Sequence, residues 1–138
     1  MKKIIIAIFC VLAAVACEKP APEAPQPVQL RVSLTNIAGE WDLMQWKGNA
    51  VESGSVVVKL SKDKTFVLTQ TVGSMYPTQY TGEYNLVEEA EGTVIRGIYD
   101  YTYEYWDHQY KITSLTEEEM EWTSTDDAED IYVYSRID

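Results

Sequence analysis

Apolar and polar side chains alternate along most of the chain from Gly39 onward. Eight segments carry this period of two or run in β-branched and aromatic residues: Gly39–Lys47, Ser55–Leu60, Thr65–Thr71, Tyr80–Val87, Thr93–Tyr99, Gln109–Ser114, Met120–Ser124 and Ile131–Ile137. Alternation sends successive side chains to opposite faces of a strand, and Val, Ile, Thr and Tyr suit a pleated, half-buried surface. Turn formers separate the segments at Gly48-Asn49, Ser61-Lys62-Asp63-Lys64, Glu88 to Gly92, Thr116-Glu117-Glu118 and Asp126-Asp127-Ala128. No window sustains a helical stripe. One helical turn is predicted, Leu34 to Ile37, just before the first strand.

Short strands joined by short polar turns predict an all-β domain in an antiparallel up-and-down meander. Eight strands can close into a barrel, wholly or half-open, and closure removes the edges that invite aggregation. An eight-stranded barrel has room for packed side chains or one small ligand. A two-sheet sandwich is the competing arrangement, because a period of two fits both.

The first residues break this pattern. Lys2 and Lys3 precede an unbroken apolar run from Ile4 to Val15, and small residues then lead to Cys17. This is a secretory signal, too short to stay in a bilayer as a spanning helix. Its end, Ala14-Val15-Ala16-Cys17, resembles a bacterial lipoprotein signal. That resemblance implies lipidation of Cys17 as the mature N-terminus, with Cys10 discarded and residues 1–17 serving as the signal. Stable attachment takes at least two acyl chains at roughly 0.8 kcal/mol per buried methylene, which a triacylated, palmitate-type anchor meets. Glu18 and Lys19 resemble the charged sorting tags of Bacteroidetes-type lipoproteins, which points to the outer membrane of the cell envelope.

Residues 18–29, EKPAPEAPQPVQ, hold four of the five prolines. Proline fixes φ and lacks an amide donor, so this stretch reads as a semi-rigid tether rising about 3.1 Å per residue. Residues 30–138 form the single domain.

Composition narrows the function classes. The 138 residues leave room for one ordinary domain. With 22 acidic against 11 basic residues the formal charge is −11, unlike a nucleic-acid binder. The acids concentrate late: residues 18–82 balance six against six, whereas residues 83–138 carry sixteen acids and three bases. That half would favour a basic partner through steering that fades with salt. A monomer is expected.

The domain opens on Ile37-Ala38-Gly39-Glu40-Trp41-Asp42-Leu43, which resembles the Gly-x-Trp start of lipocalins and bacterial lipocalin-like domains. Lys62-Asp63-Lys64-Thr65-Phe66, Thr81-Gly82-Glu83-Tyr84, Ile112 to Thr116 with Met120-Glu121-Trp122, and Tyr132 to Ile137 resemble later hairpins and the closing strand of that family, in order. The resemblance spans nearly all of Ile37 to Asp138 and implies a barrel whose end is capped by Trp41. It further implies that Arg136 stacks on Trp41, a cation–π contact of about 0.5–2 kcal/mol formed within about 6 Å. It fixes no ligand, because a fold does not determine a function.

Candidate chemistry is sparse. Tyr99, Tyr101, Tyr103 and Tyr105 alternate with Asp100, Thr102 and Glu104. On an extended strand they would share one face and, with Trp41 and Trp106, line a pocket for a small hydrophobic or sugar-like molecule. Plain packing of the same tyrosines is the alternative. His108 is the only histidine, and with no cysteine partner in the domain it assembles no zinc site, so it reads as a surface or hairpin residue. Asp126, Asp127, Glu129 and Asp130 lack the order of a calcium loop and read, like Glu117, Glu118, Glu119 and Glu121, as solvated turns. No phosphate loop, Gly-x-Ser-x-Gly elbow or paired-Cys motif is present. The sequence therefore points to a binding protein with no catalytic residues, no metal and no cofactor. The alternative is a packed barrel that engages a basic protein through its acidic face.

Overall fold

The computed structural model describes residues 27–71, 73 and 75–137. The expected signal with Cys17, and residues 18–26 of the expected tether, lie outside the described residues.

The helical turn α1 (Leu34–Ile37) precedes β1 (Gly39–Trp46), β2 (Asn49–Ala50), β3 (Val56–Leu60), β4 (Thr65–Gln70), β5 (Thr78–Glu89), β6 (Gly92–Tyr99), β7 (Tyr110–Leu115), β8 (Glu119–Ser124) and β9 (Ile131–Arg136). From β1 through β3 to β9 each strand pairs antiparallel with the next, and β9 returns to β1. Eight strands thus close a barrel, and the sandwich alternative falls.

Strand β2 is an addition the alternation did not predict. The chain turns on Lys47 and Gly48, at φ 53° and 82°, and not on Gly48-Asn49. Two successive left-handed residues suit a tight type I′ hairpin, which leaves Asn49 opposite Trp46 as strand.

Two bulges shift the parity of the pattern. Trp41 and Leu43 are buried on β1, and strict alternation would send Gln45 inward next. A register shift between Leu43 and Gln45 adds a residue, so that Trp46 faces the interior instead. A second shift between Ile112 and Ser114 lets both Ile112 and Leu115 enter the core.

One end of the barrel is plugged. The hydroxyl of Ser33 caps α1 by accepting from the Asn36 amide at 3.1 Å, and Ile37 is fully buried beneath the strands. Trp41 is also fully buried, and its Nε1 donates to the Ile37 carbonyl at 2.9 Å. Arg136 sits opposite Trp41 in the β1–β9 register, with its guanidinium carbon 4.2 Å from the ring centroid. That guanidinium donates to three carbonyls: Glu117 at 2.7 Å, Ala38 at 2.7 Å and Asn36 at 2.9 Å. Its rigid fork of donors ties α1 and the β7–β8 turn to the closing strand, which an ammonium could not do at once. The chain joins the barrel at this end, where Leu115 N donates to Gln29 Oε1 and Leu30 N to the Leu115 carbonyl.

In such a meander the connections β1–β3, β4–β5, β6–β7 and β8–β9 all lie at the opposite end. That end is open.

Candidate functional site

The barrel interior holds a cavity of about 560 Å³ reaching from the core to the open end. Its walls are mainly aromatic. Strands β4, β6, β7 and β8 contribute Phe66, Tyr99, Tyr110 and Trp122, while Tyr132 and Tyr134 come from β9 and Trp46 from the end of β1. Leu43, Val56, Val58 and Leu68 fill the gaps between rings, and Gln70, Asp107 and His108 stand at the rim. Tyr99, Trp106, Tyr110 and Tyr132 are only half-buried although they face inward, as expected of a cavity in contact with solvent.

Two glycines make this cavity. Phe66 lies over Gly82, its partner across β4–β5, and Trp106 lies over Gly97. A side chain at either glycine would collide with the ring above it. The two rings then meet edge to face at 5.1 Å, and Trp106 stacks towards Trp122 at 6.1 Å. Trp122 and Tyr110 stack in turn at 5.3 Å.

Trp106 arrives from a loop. Strand β6 ends at Tyr99, and the chain doubles back: Tyr99 N donates to the Glu104 carbonyl, Tyr103 N to the Tyr99 carbonyl, and Trp106 N to the Gly97 carbonyl. Tyr103 turns the corner at φ 57°. This corrects the expectation of a four-tyrosine face. Tyr99 lines the cavity, but Tyr101, Tyr103 and Tyr105 are 64%, 81% and 71% exposed and stand outside it. Tyr101 packs with Tyr80 and Tyr99, at 5.7 and 5.6 Å, as part of an aromatic cluster at the rim. Trp41 does not line the cavity either, because it belongs to the closed-end plug.

A polar network backs one wall. Asp130 is buried and accepts from Trp46 Nε1 at 2.8 Å. The Tyr132 ring packs on Trp46 at 6.1 Å and edge to face on Tyr110 at 5.2 Å beside this pair. The Trp122 indole N–H, buried among the cavity walls, has no hydrogen-bond partner among the described residues. The other acids of the 126–130 turn do not converge: Asp127 accepts from the Glu129 amide, and Asp126 accepts from the Ser124 hydroxyl and faces His108 Nδ1 at 3.4 Å. The bond from Ser124 is the main reason the Asp126 carboxyl is held below its usual range. Among the described residues, no group of three His, Cys, Asp or Glu is arranged to hold a metal ion.

Buried phenols link this interior to pH. Burial pushes Tyr84 up to about 12, and it raises Tyr110 and Tyr134 as well, the neighbouring Tyr132 phenol adding to the effect at both. A phenol raised in the folded state contributes its full stability below the unfolded value of 10.0 and loses it as pH climbs through the folded value. Urea midpoints are therefore expected to fall steadily from about pH 10 to about pH 12. A midpoint unchanged over that range would show that these phenols ionise without disturbing the barrel.

The lining residues Trp46, Phe66, Tyr110, Trp122, Tyr132 and Tyr134 were not singled out by sequence. Their one signal is position: Tyr110 and Trp122 occupy inward parity on strands that the alternation placed correctly.

No family model and no curated protein matches this chain. Among solved structures it is similar to a lipocalin-like protein from Bacteroides uniformis ATCC 8492, with a TM-score of 0.53 and 17% identity over 73% of this chain and 97% of that one. At this identity the likeness concerns the fold: the domain is a lipocalin-like β-barrel.

Proposed function

We propose that this chain is a lipid-anchored barrel of the cell envelope that holds a small, largely apolar ligand in its interior. The observation that carries the reading is the aromatic cavity of about 560 Å³, a size typical of small-molecule sites. A packed barrel acting only through its acidic surface would leave no such space. Lipidation at Cys17 and a tether over residues 18–29 would hold the domain at the outer membrane. The aromatic lining supports a role in binding.

Tryptophan emission tests this directly, because Trp46, Trp106 and Trp122 line the cavity while Trp41 does not. Titration with long-chain alcohols, sterols and oligosaccharides is expected to quench or blue-shift the emission for at least one class. A folded protein silent across the whole panel would refute the reading. Anchoring is tested separately: a Cys17→Ala protein should leave the membrane fraction.

A further inference from the structure

We infer that the cavity takes a hydrophobic ammonium, a protonated amine on an apolar body, and discriminates against carboxylates. This rests on the cavity reading above and names the class of molecule bound. Among the described residues, no lysine or arginine lines the cavity. Its acidic residue is Asp107, exposed at the rim beside His108, whose ring nitrogen already faces Asp126. A carboxylate drawn inside would find no positive partner, and an unpaired charge in such a place is costly.

An ammonium meets the opposite conditions. Aromatic rings attract cations through their quadrupole, tryptophan most strongly, and Trp46, Trp106 and Trp122 are among the rings that line this cavity. The rim supplies an internal example, since Lys47 Nζ lies 5.4 Å over the Trp46 ring. At this end of the barrel the connection from residue 100 to 109 carries Asp107, and the turn from 125 to 130 carries Asp126, Asp127 and Glu129 beside the buried Asp130, with Lys47 as the lysine among these connections. Charge of one sign around a low-dielectric cleft concentrates the opposite ion there.

The test uses three probes of matched size: phenylbutylammonium, phenylbutanol and phenylbutanoate. Each is titrated into the full chain near pH 7 and followed by tryptophan emission and calorimetry. The ammonium should bind at least about tenfold tighter than the carboxylate, as attraction of the one and repulsion of the other at the same rim carboxylate would give, with the alcohol between. Asp107→Asn should weaken the ammonium about three- to tenfold and leave the alcohol unchanged. Glu118→Gln, at the closed end, should change neither. Equal binding of all three probes, preference for the carboxylate, or equal losses in the two variants would overturn the charge inference while leaving the cavity reading intact. Silence from all three in a chain with a native near-UV spectrum would overturn the inference, and silence that extends to the neutral panel above would remove the cavity reading too.

Discussion

Trp41→Ala is expected to cost the barrel about 3–5 kcal/mol, a large share of the roughly 5–15 kcal/mol that holds a domain of this size together. Three losses coincide. A fully buried indole leaves a cavity at the plugged end. The Ile37 carbonyl loses the N–H that satisfies it at 2.9 Å. The Arg136 guanidinium keeps its three carbonyl bonds but loses the ring it rests on at 4.2 Å. Neighbours cannot easily close the gap, because α1 and the β7–β8 turn are held in place by that same guanidinium. Urea denaturation followed by far-UV circular dichroism measures the effect. A loss below about 1 kcal/mol would mean that the plug contributes little and the strand ladder alone supports the fold.

Gly97→Ala should strike binding harder than stability. A methyl group there would come within 2.3 Å of the Trp106 ring. The ring cannot slide aside with its backbone, since Trp106 N is bonded to the Gly97 carbonyl at 2.9 Å. It must rotate away or take the loop with it, and either movement removes one wall of the cavity. Stability should fall by about 1–3 kcal/mol, the usual range for overpacking, because Trp106 lies on a loop and is half-buried. Phenylbutanol affinity should drop at least about tenfold, and the near-UV signal of the stacked Trp106–Trp122 pair should collapse. Native affinity in this variant would show that Trp106 is a bystander. Gly82 differs in kind: a methyl there meets the Ile98 carbonyl oxygen at 2.0 Å, and backbone inside a barrel has nowhere to move.

Much of the architecture was legible because the signals are local. Alternation located the eight barrel strands to within two residues at either end, and a short apolar turn before Gly39 placed α1 at Leu34–Ile37. The site was far less legible. Tyr99 to Tyr105 alternate as a strand would, yet Tyr103 adopts a left-handed conformation and reverses the chain. The pattern could not reveal this, since the reversal is held by amide bonds back to Gly97 and Tyr99. Trp46 was hidden for a related reason: its inward direction depends on one extra residue between Leu43 and Gln45.

By itself, then, the sequence determined the all-β class, the strand positions and the acidic C-terminal half. Each follows from side-chain type and a spacing of a few residues. Only the tertiary structure decided that the sheet closes on itself, that its interior stays open, and which rings face that space. Those outcomes turn on two bulges, two glycines left bare beneath aromatic rings, and a loop folded over the barrel, and they depend on contacts between residues far apart in the chain.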